Sequence, residues 1–158
     1  MSYTWGPPIW TLFHTIIEHV PENEFPRVGK QLYNYISRIC RLLPCPECQS
    51  HAQQYIDRHT FDTSSKTRMR EFMHNFHNAV NKHKKLNEQP IAILDKYNDM
   101  SLANVYNNFI RVFLPRGNIR MLADSMHRSM LIQDFQSWLI TNKHIFFRPS
   151  NVDHSKSK

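Results

Sequence analysis

Glycine is scarce in this chain: three occur in 158 residues, against nine prolines. That scarcity excludes Gly-rich phosphate cradles. Neither a P-loop nor a GxGxxG pattern is present, so a nucleotide cofactor would have to be held in another way. Tight two-residue hairpins also lean on glycine, and their absence favours helices. No apolar run approaches the length of a membrane span. Cysteines are few as well, and Cys40, Cys45 and Cys48 are crowded together. A secreted disulfide scaffold would carry more of them, even in number and spread along the chain. The opening, Met1-Ser2-Tyr3-Thr4-Trp5, has no cationic n-region and no apolar h-region, which predicts a soluble intracellular protein. In that setting the three thiols need a chemical reason.

What is present fits one folded domain: 41% hydrophobic and 21% charged residues, in a chain long enough to bury a core. The formal charge of +7 admits a phosphate-bearing partner, but the cations are scattered over Lys82, Lys84, Lys85, Arg111, Arg116, Arg120 and Arg128. So diffuse a pattern predicts neither a nucleic-acid partner nor a membrane partner.

Helical spacing recurs throughout. Pro7-Pro8 suits a first helical turn, Trp10, Phe13, His14 and Ile17 share a face, and Pro21 ends the segment. A second helix is predicted from Glu24 to Leu43, with Leu32, Tyr35, Ile36, Ile39 and Leu43 as its apolar stripe. Pro44 interrupts it, because the residue before proline avoids the helical region. A third helix opens at Cys45-Pro46 and runs through Tyr55 and Ile56. Asp62-Thr63-Ser64-Ser65 reads as a turn with an N-cap, followed by a helix carrying Met69, Phe72, Met73, Phe76, Val80 and Leu86. Pro90 marks the next break. Leu102, Val105, Tyr106, Phe109, Ile110 and Phe113 form another amphipathic helix, broken at Pro115-Arg116-Gly117. A last one carries Met121, Leu122, Met126, Met130, Leu131, Phe135, Trp138 and Leu139, the methionines being read as core packing. Strand-like alternation is missing. The expected fold is all-α, an up-and-down bundle joined by short polar turns.

Cys45-Pro46-Glu47-Cys48 places two thiols one turn apart at a helix start. The partial positive charge there favours thiolate, and Pro46 costs little because its missing N–H would be unpaired anyway. The pattern suits a reversible redox pair. It also admits a zinc site of Cys45, Cys48 and His51 completed by His74 or His77, although structural zinc sites usually show a second tight ligand pair. A thioredoxin-like module would need strands that this sequence lacks.

Three segments together carry a resemblance. Trp5-Gly6-Pro7-Pro8-Ile9-Trp10-Thr11-Leu12-Phe13-His14, the segment Leu43 to His51 around the dithiol, and Phe76-His77-Asn78-Ala79-Val80-Asn81 resemble, in order, the signature stretches of the Erv/ALR family of FAD-linked sulfhydryl oxidases. The resemblance covers about residues 3 to 90. It implies a four-helix bundle with a short fifth helix, holding FAD at its mouth. It implies that Cys45 exchanges with substrate dithiols and that Cys48 lies against the flavin ring. Flavin contacts are then expected from Trp5, Gly6, Trp10, His14, Cys48, His51, Tyr55, His77, Asn78 and Asn81, with Lys84 or Lys85 near the phosphates. The implied partners are a protein dithiol or a thioredoxin-like relay protein, dioxygen as acceptor, and a second copy of the chain as a homodimer.

The departures are equally legible. Phe72 stands where many relatives carry tryptophan, and no shuttle cysteine pair is present. Cys40 matches no family role and reads as a buried free thiol. The organisation expected is a core at 1–98, a helical extension at 99–148 packed on the core or at a dimer interface, and a polar, disordered tail at 149–158. A short form without shuttle cysteines is similar to those of large DNA viruses, which implies host cytoplasm or virion; the mitochondrial intermembrane space is the competing location.

Overall fold

In a computed structural model, residues 5–114 and 122–147 are described. They are all-α, as expected, with no strand among them. The first helix, α1, spans Gly6–His19 with Pro7 and Pro8 in its opening turn. It stops because Val20, placed before Pro21, is extended (ψ 122°). Leu12, Phe13, Ile16 and Ile17 are all buried, so α1 is covered on nearly every side and forms the centre of the molecule.

A 3₁₀ turn at Glu22–Glu24 leads into α2, Phe25–Arg41, which buries Phe25, Val28, Leu32, Ile36, Ile39 and Cys40. Gly29 lies where a later connection, at Thr63, crosses the helix, and a Cβ there would collide with the Thr63 carbonyl oxygen. After a link of Leu42, Leu43 and Pro44, Cys45 caps α3, Pro46–Arg58, its sulfur accepting from the Cys48 N–H. The predicted turn is held by Asp62, whose carboxylate accepts from the Ser64 N–H and hydroxyl. Ser65 then caps α4, Lys66–His83, through the Arg68 N–H.

Leu86, expected on this helix, lies beyond its end and is 58% exposed. The helix stops earlier because Lys85 takes φ 59°, the Leu86 N–H returns to the Asn81 carbonyl, and the Lys85 N–H returns to Lys82. That is a Schellman closure without the glycine that usually announces one.

A 3₁₀ run, Ile91–Asp99, packs on α1 and α4 and buries Leu94 and Tyr97. It is followed by α5, Leu102–Phe113, which lies along α1; by α6, Leu122–Thr141, which packs on α2; and by the short α7, Lys143–Phe146. The inward face of α6 is Arg128, Leu131, Ile132, Phe135 and Leu139. Met126 and Met130 lie off that face and are 58% and 61% exposed, which corrects the reading of them as core. Met121 and the 149–158 tail lie outside the described residues. One continuous core joins residues of α1 through α4 to residues of α5, α6 and α7, so these last three helices share the interior of the preceding ones.

Candidate active site

The link between α2 and α3 delivers two sulfurs to one place. Cys45 and Cys48 are joined as a disulfide, with Cα atoms 5.2 Å apart. Gln49, next along α3, donates to the Leu43 carbonyl at 2.6 Å and ties the start of α3 to the end of the link. The disulfide forms part of the wall of a cavity of about 220 Å³. Its other walls are mostly flat and apolar: Trp5, Ile9, Trp10 and Phe13 from the start of α1, and Phe76 and Val80 from α4. Glu47, His51, His83 and Lys84 supply its polar edge.

Past His51, Phe76, Val80 and His83 a second cavity of about 210 Å³ opens toward Tyr55 and Arg58. Tyr55 stacks on Phe76 with centroids 4.7 Å apart. On another side of α4 lies a third, of about 450 Å³, lined by His14, His74, His77, Asn78, Asn81, Lys96 and Tyr97 among others. The partition between the first and third is aromatic. Trp10 stacks on His77 at 4.2 Å with planes 7° apart, and Tyr97 stacks on His14 at 4.9 Å.

His14 Nε2 and His77 Nδ1 lie 3.0 Å apart, so one ring donates and the other accepts. Burial lowers the His14 pKa to about 3, with the facing His77 adding to the shift. Burial lowers His77 to about 4, helped by His74 and Lys96. Both rings are therefore neutral near pH 7. Cys40 lines the dithiol cavity too, but complete burial pushes its thiol up to about 12.

The structure sorts the sequence candidates into three groups. Cys45, Cys48, Trp5, Trp10, His51 and Lys84 meet around the dithiol cavity. His14, His77, Asn78 and Asn81 gather at the third cavity, and Tyr55 borders the second. Gly6 opens α1 beside Trp5, with free space where its Cβ would be. Lys85 lines none of these cavities and serves the helix closure. Asn78 is also committed: its amide oxygen accepts from the Gln89 N–H, and its nitrogen donates to the Gln89 carbonyl, both at 2.9 Å.

The zinc arrangement read from the sequence is not assembled. His74 and His77 face the third cavity, while Cys45, Cys48 and His51 line the first. The group that does converge among the described residues is Glu47, His51 and His83, with ligand atoms within 4.8 Å of one another. His83 was missed by sequence reasoning, although it continues the Phe76 and Val80 face at helical spacing. Lys96 and Tyr97 had no detectable signal.

A helical fold that sets a disulfide at a helix N-terminus into the wall of an aromatic cavity has the parts that thiol–disulfide exchange requires. Residues 7–99 match the Erv1 / Alr family, and the chain belongs to it. It is similar to the putative FAD-linked sulfhydryl oxidase 096R of Invertebrate iridescent virus 3, with 38% identity over 56% of this chain and 60% of that protein. The FAD-linked sulfhydryl oxidase ERV2 of Saccharomyces cerevisiae is 31% identical over 58% of this chain and 47% of its own length. The putative FAD-linked sulfhydryl oxidase 347L of Invertebrate iridescent virus 6 is 30% identical over 50% of this chain and 78% of its own length. The chain thus spans about half to four-fifths of these relatives. No solved structure matches it. No described helix is long and apolar enough to cross a membrane.

Proposed function

We propose that the protein is an FAD-dependent thiol oxidase that converts protein dithiols to disulfides through Cys45 and Cys48. The observation that carries this reading is the Cys45–Cys48 disulfide set into the wall of an apolar, aromatic cavity with a polar edge.

The residues fit a flavin. Trp5, Ile9, Trp10, Phe13, Phe76 and Val80 offer flat apolar walls, and the dithiol sits among them. Lys84 at the rim, with Lys96, His77 and Asn81 at the neighbouring cavity, offers cations and donors suited to phosphate and adenine. Asn78 enters as the clamp on Gln89 that shapes this edge. When bound, FAD supplies an acceptor for the dithiol's electron pair and delivers it to dioxygen, giving hydrogen peroxide.

The chain's own part is thiol–disulfide exchange. A substrate thiolate attacks Cys45 Sγ, forming a mixed disulfide as the Cys45–Cys48 bond breaks and Cys48 leaves as thiolate. The α3 N-terminus stabilises that thiolate, and so does any cation at the rim. The second substrate thiolate attacks the mixed disulfide. The oxidised substrate departs, and Cys45 is left reduced. The neutral His14–His77 pair lets no fixed charge develop beside Trp10 near pH 7.

Substrates of this reading are protein dithiols or a thioredoxin-like relay protein, whose thiolate would attack Cys45. The viral relatives support a viral setting, and host cytoplasm or the virion is the location that belongs to this proposal. Homodimerisation belongs to the same reading, and a clean monomer in sedimentation would remove it. The deciding experiment is a visible spectrum of the purified protein before and after dithiol under nitrogen. Flavin bands that bleach and then return in air support the oxidase. A colourless protein that takes up no added FAD removes it, and stoichiometric metal in that protein would point to Glu47, His51 and His83.

A further inference from the structure

Arg128 is the largest side chain with no exposure among the described residues; Asp124, one turn earlier on α6, acts on it electrostatically, but no described carboxylate lies within ion-pair reach. It projects from α6, outside the family match. Its Nε donates to the Leu42 carbonyl at 2.7 Å and its Nη2 to the Leu43 carbonyl at 3.5 Å. The guanidinium carbon lies 5.8 Å from the centre of the Phe113 ring, and Nη1 is buried without a hydrogen-bond partner.

Burying a guanidinium this way is costly. If filling space were its whole task, methionine or leucine would do so at lower cost. What an apolar residue could not do is hold two successive backbone carbonyls. Those carbonyls belong to Leu42 and Leu43, in the three-residue link that sets Cys45. The free carbonyls just past the end of α2 also favour a cation, because the helix dipole leaves partial negative charge there. Pro44 has no N–H and so adds no hydrogen bond that would anchor the link. The Leu43 oxygen is shared with Gln49 from α3, so a continuous chain of hydrogen bonds runs from α6 through the link to the dithiol helix.

We infer that Arg128 is a positioning residue for the Cys45–Cys48 redox pair, so that the C-terminal extension forms part of the redox centre. This rests on the thiol oxidase reading for its purpose, but its measurement needs no turnover. Losing the anchor frees the N-terminal side of Cys45 and raises the entropy lost on closing the disulfide ring. The disulfide then becomes easier to reduce.

The test equilibrates the flavin-loaded protein under nitrogen, so that no dioxygen drains electrons from the dithiol, with glutathione buffers of graded ratio, quenches in acid, and counts free thiols by alkylation and mass spectrometry. Arg128→Met is compared with Phe135→Ala, which loosens the same helix by removing a buried ring without touching the link. The expected result is a loss of about fivefold or more in disulfide stability for Arg128→Met, as one lost hydrogen bond would give. Phe135→Ala should stay within about twofold of the parent, and Arg128→Lys should recover part of the difference. If Arg128→Met does not fold, Arg128→Lys is judged by the same comparison. Equal shifts in the Arg128 and Phe135 variants, no shift, or a more stable disulfide would overturn the inference. A protein that binds no flavin but still shows the Arg128-specific shift would retire the oxidase reading and leave the positioning role standing.

Discussion

His14 Nε2 stands 3.0 Å from His77 Nδ1, and the two imidazoles share that hydrogen bond while both are neutral. Their pairing joins the middle of α1 to the middle of α4, beside the Trp10 ring. It also makes the fold sensitive to acid in a definite direction.

Burial lowers these two histidines from the ordinary 6.5 to about 3 and about 4. Below pH 6.5 the unfolded chain takes up protons that the folded one refuses, so stability falls as pH falls and is whole above that value. The loss approaches about 1.4 kcal/mol per pH unit for each ring, down to the folded pKa values. Thermal unfolding followed by circular dichroism from pH 7.5 to 4.5 should show the decline, and His77→Gln should flatten it. A melting temperature unchanged between pH 6.5 and 5 would refute this account.

Gly29→Ala should destabilise by about 2 kcal/mol, since the added methyl meets the Thr63 carbonyl and the connection must move aside. Urea unfolding monitored by tryptophan fluorescence would measure it. A neutral substitution would mean that the α3–α4 connection has no fixed seat on α2.

Lys85→Gly should act in the opposite sense. The residue holds φ 59° at the closure of α4, where a side chain is disfavoured, so glycine should gain about 0.5–1 kcal/mol. The same urea titration reads this as a higher midpoint with an unchanged slope.

Cys40 should resist alkylation. With its thiol pushed up to about 12, the thiolate fraction at pH 8 is about 10⁻⁴, and burial hinders the reagent further. Native oxidised protein treated with iodoacetamide should remain unmodified by mass spectrometry and acquire a single adduct after denaturation. Rapid native labelling would show that α2 opens locally.

The main helices were legible because their signals are local. Pro7 and Pro8 start α1, Ser65 caps α4, Cys45 caps α3, and the apolar stripe of α5 has the helical period. The dithiol and its aromatic walls were legible for the same reason, since they fall in compact motifs. What escaped depends on contacts across the fold. The 3₁₀ run at Ile91–Asp99 has no clean period, and its place is set by packing Leu94 and Tyr97 on α1 and α4. Lys85 gives no glycine signal for the end of α4. The double hydrogen bond between Asn78 and the Gln89 backbone was invisible in the sequence, because it forms only when the chain turns back beyond the end of α4. Arg128 looked like one surface cation among many; only the docking of α6 shows where it lies.

The central place of α1 has a practical outcome for anyone cutting the gene. The helix presents one side to α4 and the cavities, and another to α5, which lies beyond residue 99. A fragment ended where the family resemblance ends would strip that second side and expose isoleucine and leucine to water. Such a fragment should come out of expression as aggregate, whereas the longer chain should melt as one cooperative unit in a calorimeter, with a single heat-absorption peak.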